Sequence, residues 1–207
     1  MAPPWLPWVL AGLWAVEFVA LGWSPSDRQA WLLENLLAVP LVIGLLIARR
    51  RVPFSSTSWL LIFAFLALHE VGSHYTYSHV PWMEWSEQLL GWAPSWQRNH
   101  YDRFLHLAFG LLWTRPLQEL LSDALAARPG LLRVLVICVI SALSAAYELM
   151  EWVAASIVDP GLGHGFVGAQ GDIWDAQKDM ALALGGSIIA TVWIWGTGGL
   201  DLGNGRR

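Results

Sequence analysis

The sequence predicts an all-α fold, a polytopic transmembrane bundle of about six membrane helices. Three observations carry that expectation. The chain is 56% hydrophobic and only 14% charged, and its mean hydropathy of +0.46 lies above that of a soluble domain. Its apolar residues fall in runs close to the ~20 residues a helix needs to cross the hydrocarbon. Fifteen of its 207 residues are Trp. Trp favours membrane–water interfaces, where its ring is half apolar and its N–H stays wet.

The elements follow in order. The first span runs from about Trp5 to Trp23 and is stopped by Ser24-Pro25. It lacks a basic leader and carries Glu17, so it reads as a helix and not as a cleaved signal. The second runs from Trp31 to Ala48 and ends in Arg49-Arg50-Arg51. The third starts near Pro53, a residue suited to a first helical turn, and runs to Tyr77. Trp82, Trp85 and Leu89 recur at helical spacing among Glu84, Glu87 and Gln88, so Pro81 to Gly91 is either a short amphipathic helix in the interface or a loop tethered by its tryptophans.

The fourth span begins at Tyr101. It either stops at Thr114 before Arg115-Pro116 or continues as a kinked or interfacial segment from Leu117 to Ala127. The fifth runs from Leu131 to Val158, before Asp159-Pro160-Gly161, and the sixth from Asp172 to Trp195. Residues 1–195 are expected to form one transmembrane domain, and 196–207 a Gly-rich polar tail. Cys138 is the only cysteine, which excludes an intrachain disulfide. A net charge of −4 argues against nucleic acid as a partner.

Basic residues set the orientation. With the N-terminus inside, Arg49, Arg50, Arg51, Arg115, Arg128, Arg133, Arg206 and Arg207 fall on the inner face. Arg28, Arg98, Arg103 and Lys178 fall on the outer face. Both termini of this multi-pass protein are then cytoplasmic. At about 1.5 Å per residue, the third helix climbs roughly 24 Å from Pro53 to His69, and the fifth roughly 26 Å from Leu131 to Glu148. The fourth and sixth helices begin in the outer layer. Four polar clusters therefore converge on one level near the outer surface, while the inner half of the bundle reads as apolar.

Helical spacing decides which side chains cooperate. Glu70 and His74, and Asp102 and His106, are four residues apart. Glu148 and Glu151 are three apart, and Asp172, Asp175 and Asp179 share one face. Ionisable groups at membrane depth are expensive and point to function. Helices that each bring carboxylates or a His to one level match the design of metal sites in helix bundles. Zn²⁺, Fe²⁺ or Mn²⁺ suits imidazole with carboxylate, and Mg²⁺ suits carboxylate alone.

The candidate metal ligands are Glu70, His74, His106, Glu148, Glu151 and Asp175. The candidate catalytic groups are Asp102, His106, Glu148 and Asp172. Arg98 and Arg103, with Tyr75, Gln170 and Trp174, are candidates for holding an anionic substrate. Each has a plainer reading. Asn99, Asp102 and Asp172 could cap helices, Arg103 could simply pair with Asp102, and His69 faces roughly 100° away from Glu70, toward either the site or the packing. His79, His100 and His164 lie in loops, where solvation is the simpler expectation.

The motifs His69-Glu70-x-Gly72-x-His74-Tyr75-Thr76-Tyr77, Arg98-Asn99-His100-Tyr101-Asp102-Arg103-x-x-His106, Tyr147-Glu148-x-x-Glu151-Trp152 and Gly168-x-Gln170-Gly171-Asp172-x-Trp174-Asp175-x-Gln177-x-Asp179 resemble the YjdF-like family of bacterial inner-membrane proteins. That likeness implies the membrane and no particular activity. Asp102-Arg103-x-x-His106, with Glu148-x-x-Glu151 and Asp175-x-x-x-Asp179, more distantly resembles VanZ-like membrane proteins, which implies a link to the cell envelope. Here Glu and Asp stand where that pattern has Gln and Asn.

The leading expectation is a metal-dependent hydrolase acting on a lipid or lipid-linked envelope precursor, with the bilayer and that anionic substrate as partners. A proton-coupled transporter, an envelope scaffold and a purely structural charge network are the alternatives.

Overall fold

The computed structural model describes residues 2–52, 54–91, 98–125, 128–157 and 170–198. Among these there are helices and no strands: α1 (Leu6–Gly22), α2 (Arg28–Ala48), α3 (Ser56–His74), α4 (Trp82–Leu90), α5 (Tyr101–Leu125), α6 (Pro129–Ile157) and α7 (Asp175–Gly196). By length and apolarity α2, α3, α6 and α7 can cross a membrane, and α1 is a shorter apolar helix. Helix α5 carries too many charges to qualify on composition. It packs between α3, α6 and α7, so its polar residues face protein and not lipid. The bundle is a membrane-helical one, with Leu13, Val16, Ile47, Leu149 and Trp193 exposed on its outside.

Local chemistry sets the helix ends. Asp27 accepts from the backbone N–H groups of Gln29 and Ala30 at 2.8 and 2.9 Å, so α2 starts at Arg28, before the expected Trp31. The Arg28 guanidinium reaches back to the last carbonyls of α1, on Gly22 at 2.9 Å and Trp23 at 2.8 Å. Ser55 caps α3 by accepting from the Ser58 N–H. Pro53, the expected start, lies outside the described residues, as do Asp159-Pro160-Gly161, His164 and the tail beyond residue 198. Segment 81–91 is a helix, closed by Gly91 in the left-handed conformation that its cap requires.

Three expectations are corrected, and one left open is decided. Helix α3 ends at His74, and Tyr75 to Tyr77 form a turn in which Thr76 and Tyr77 take positive φ. The Tyr77 N–H bonds the Gly72 carbonyl at 2.7 Å, and its ring lies where a side chain at residue 72 would be. The fourth span takes the longer of its two expected courses. It continues through Pro116 to Leu125, because a membrane helix tolerates a proline whose freed carbonyl is shielded by neighbours. The sixth starts at Asp175, which leaves Asp172 in the preceding turn and off the helical face it was assigned to. The half of the bundle away from the four polar clusters, expected to be apolar, is not purely so, since Ser58, Thr114, Gln118, Glu119, Ser187 and Thr191 are all buried there.

The closest packing is between α5 and α7, which run parallel. A Cβ on Gly110 would stand 2.7 Å from the Ser187 nitrogen and nearer still to the Ala183 carbonyl. One on Gly186 would stand 3.0 Å from the Leu111 nitrogen and nearer to the Leu107 carbonyl. Small residues allow this approach, the usual solution where lipid supplies no hydrophobic drive between helices. Thr114 Oγ1 donates to Ser187 Oγ at 2.8 Å across the seam.

Helices α1, α3 and α6 finish, and α2, α5 and α7 begin, at one end of the bundle, here called the acidic end. The opposite end carries Arg49, Arg50 and Arg51 and an apolar core of Trp14, Val42, Trp59, Ile62, Phe63 and Leu66.

Candidate functional site

The rim of the acidic end is a lattice of ion pairs. Arg98 meets Asp175 at 2.5 Å, and Arg103 meets Asp172 at 2.5 Å and Asp175 at 3.2 Å. Lys178 meets Asp172 at 2.5 Å, and Asp172 Oδ1 accepts from the Trp174 N–H at 3.0 Å. Lys178, that backbone N–H and Arg103 hold the Asp172 carboxyl well below the usual carboxylate range. His100, just before α5, is pushed down by partial burial and by the nearby Arg103 and Arg98 charges. Gln170 pairs reciprocally with the backbone of Asn99, accepting from its N–H and donating to its carbonyl, both at 3.0 Å. Asn99 Oδ1 in turn accepts from the Tyr101 N–H at the start of α5.

Beneath the rim lies the centre. His106 Nε2 is 3.2 Å from Glu148 Oε1 and 3.7 Å from Asp102 Oδ1. Asp102, His106 and Asp179 each offer a ligand atom, and these atoms lie within 4.8 Å of one another. Glu151 is 5% exposed and within electrostatic reach of Asp102, Glu34, Glu148 and Asp179. Glu34, also 5% exposed, accepts from the Tyr147 hydroxyl at 2.7 Å. The Tyr77 hydroxyl lies 2.6 Å from His69 Nδ1 and close to Glu34. Burial, then the Glu34 charge, pushes the Tyr77 hydroxyl well above its ordinary value and keeps it protonated. Helices α2, α3, α5, α6 and α7 thus all reach this centre.

The structure brings together Asp102, His106, Glu148 and Glu151, with Asp175 and Asp172 above them. It does not bring Glu70 and His74 there. Glu70 is fully buried but faces Glu17, Trp14 and Asn35, on the α1–α2 side. His74 Nδ1 bonds the Leu21 carbonyl at 2.8 Å and ties α3 to the end of α1. His69, which faces away from Glu70 on the helix, is the α3 residue that reaches the centre. Arg98, Arg103 and Gln170 are engaged by carboxylates or backbone. Tyr75 packs edge-on against Trp85 of α4, with centroids 6.2 Å apart, and Trp174 is exposed.

Sequence reasoning missed Glu34. The signal was a Glu34-Asn35 pair inside an otherwise apolar helix, about two turns from its acidic-end start. Asp179 was placed in its cluster but not chosen as a ligand, although it is 1% exposed.

The donor set fits a divalent ion. Two ligands of one ion at about 2.1 Å stand roughly 3.0–4.2 Å apart, so Asp102, His106 and Asp179, within 4.8 Å of one another, would have to close only slightly. Asp179 Oδ1 is buried and lacks a hydrogen-bond partner among the described residues, and Glu148 Oε1 is buried with His106 Nε2 at 3.2 Å beside it. Glu34, Asp102, Glu148 and Asp179 crowd around Glu151, with His106 and His69 beside them, while the rim arginines are taken by Asp172 and Asp175. Buried anions at this density call for a cation or protons.

Fold and centre define a polytopic helical membrane protein with a buried carboxylate–histidine cluster at one end. The chain belongs to the family described as "Predicted membrane protein (DUF2238)", whose model matches residues 6–198, from the first helix to the end of α7. It is similar to "Inner membrane protein YjdF" of Escherichia coli (strain K12), 36% identical over 174 residues, which are 84% of this chain and 81% of that protein. The YjdF-like resemblance is thereby shown, while the VanZ-like one rests on its short motifs alone. No solved structure matches the chain.

Proposed function

We propose that the acidic end is a divalent-metal site of a hydrolase-type enzyme acting on a lipid or lipid-linked anionic envelope precursor. The carrying observation is the convergence of Asp102, His106 and Asp179 within 4.8 Å, inside a bundle that buries further carboxylates around them. Asp102, His106 and Asp179 would hold the ion, with Glu148 and Glu151 beside them. Zn²⁺, Fe²⁺ or Mn²⁺ suits such a set better than Mg²⁺. A divalent ion there supplies Lewis-acid activation of water and of a phosphoryl or acyl oxygen. Glu148 Oε1, 3.2 Å from His106 Nε2, would stand beside an ion held there and is placed to take a proton from a water bound next to it. Arg98 and Arg103 would receive an anionic group in exchange for Asp172 and Asp175.

The relative's name supports an inner-membrane location. The basic residues at the opposite end support cytoplasmic termini, with the site in the outer leaflet.

The test is metal content by mass spectrometry on detergent-purified protein, beside His106→Ala, Asp179→Asn and Glu148→Gln. We expect near-stoichiometric metal in the wild type and at least a tenfold loss in the first two variants. Folded wild-type protein without metal after reconstitution with each ion overturns the reading.

A second reading, proton-coupled transport, is favoured by a specific observation. His69, Tyr77, Glu34 and Tyr147 form a linked polar chain, and Thr114 and Ser187, with buried Gln118 and Thr191, extend polarity toward the other end. Proton flux in proteoliposomes that Glu148→Gln abolishes would select it.

A further inference from the structure

At the end opposite the acids, α1, α2 and the start of α3 enclose a cavity of about 350 Å³. Its walls are Pro3, Pro7, Trp8, Val52, Phe54 and Trp59, with Arg49 and Arg50 among them. Phe54 and Trp59 are buried and form an apolar floor. The Arg49 guanidinium lies 4.6 Å from the centroid of the Trp8 ring and donates to the Leu46 carbonyl at 2.6 Å, which fixes it without neutralising it. Among the described residues, Arg49, Arg50 and Arg51 meet no carboxylate. No acid lines the cavity. The neighbouring acid, Glu119, is occupied elsewhere, by Arg115 and by the N–H and hydroxyl of Ser55.

We propose that this cavity binds the head group of an anionic phospholipid. Arg49 and Arg50 would grip its phosphate, and the aromatic and proline walls would take the glycerol and upper acyl chain. A guanidinium matches a phosphate bidentately, and it is less strongly hydrated than an ammonium, so it suits a half-apolar site. Basic pockets between membrane helices at the interface are where anionic head groups dock. Ile43 and Ile47 on α2 and Leu13 on α1, the helices that line the cavity, are exposed. Free phosphate would use the arginines but leave the walls unused. The proposal is independent of the metal reading, because the two sites lie at opposite ends of the bundle.

The test is native mass spectrometry of the full-length protein in detergent, titrated with dioleoylphosphatidylglycerol, with dioleoylphosphatidylcholine, or with inorganic phosphate. We expect one retained phosphatidylglycerol, at least tenfold preferred over phosphatidylcholine, and no competition from millimolar phosphate. The double variant Arg49→Gln, Arg50→Gln should lose about tenfold or more in retention, at roughly a few-fold per arginine. Arg51→Gln, outside the cavity, should change it less than about threefold, and it controls for folding and diffuse surface charge. Equal retention of both lipids, or an equal loss in Arg51→Gln, overturns the proposal. Displacement by inorganic phosphate overturns it in favour of a soluble anion.

Discussion

The two ends of the bundle treat charge in opposite ways. At the acidic end, carboxylates are buried and the rim cations are matched to them: Arg98, Arg103 and Lys178 all sit in ion pairs. At the other end, Arg49, Arg50 and Arg51 stay near the interface with no carboxylate partner among the described residues. The difference teaches that charge count alone says little about function here. Buried like charges store free energy that only protons or a cation relieve. Interfacial arginines store almost none and remain free to meet a passing anion. The first arrangement suits chemistry, the second recognition of a surface.

The comparison is most readily broken at the α5–α7 seam, which holds the acidic end in register. Gly110→Val should destabilise the protein by about 3 kcal/mol or more, since the added atoms meet backbone that cannot yield. Gly44→Ala, on α2 toward the arginine end, meets nothing within 4 Å and should be neutral or stabilising by up to about 1 kcal/mol. Thermal unfolding in detergent measures both, and similar melting temperatures for the two variants would mean that the ends are held alike.

A smaller effect is expected from Tyr147→Phe. It removes the donor to buried Glu34 and should cost about 1–3 kcal/mol, read by the same assay. Lowered affinity for whatever cation the centre holds, measured in the same variant, would tie Glu34 to the site and not only to packing.

The smallest effect separates rim from centre by pH. Asp172 is held below its ordinary range when folded. Its contribution to stability is therefore complete above the unfolded value, about 3.9, and is lost as pH falls below it. Between pH 5 and pH 3 the wild type should lose more stability than Asp172→Asn, followed by melting temperature. Parallel curves would show that Lys178 and Arg103 gain nothing from this carboxylate.

Much of the fold was legible because lipid imposes a simple rule: an apolar run of sufficient length becomes a helix, and interrupting charges mark its ends or its function. The acidic end was legible for the same reason. Spacing alone could not tell which face of a helix meets which neighbour. Glu70 and His74 share a face on α3, but that face meets α1 and α2, while adjacent His69 turns to the centre. Glu34 was hidden because a single acid in an apolar helix carries no periodicity. The length of α5 stayed open because Arg115-Pro116 looks like a stop. The structure shows Arg115 pairing with Glu119 one turn later, at 3.1 Å, and Glu119 clasping the Ser55 cap of α3.

The Gln170–Asn99 clasp has a mechanical consequence. It fastens the approach to α7 onto the approach to α5, while Gly110 and Gly186 lock the same two helices farther down. Pinned at two points along their length, α5 and α7 can neither slide nor roll against each other, and they form the fixed jaw of the acidic centre. The other helices that reach the centre, α2, α3 and α6, carry no such double lock among the described residues. The acidic centre is therefore built as a rigid wall of two helices facing a set of more loosely held ones, so its geometry on the α5–α7 side is set before anything binds.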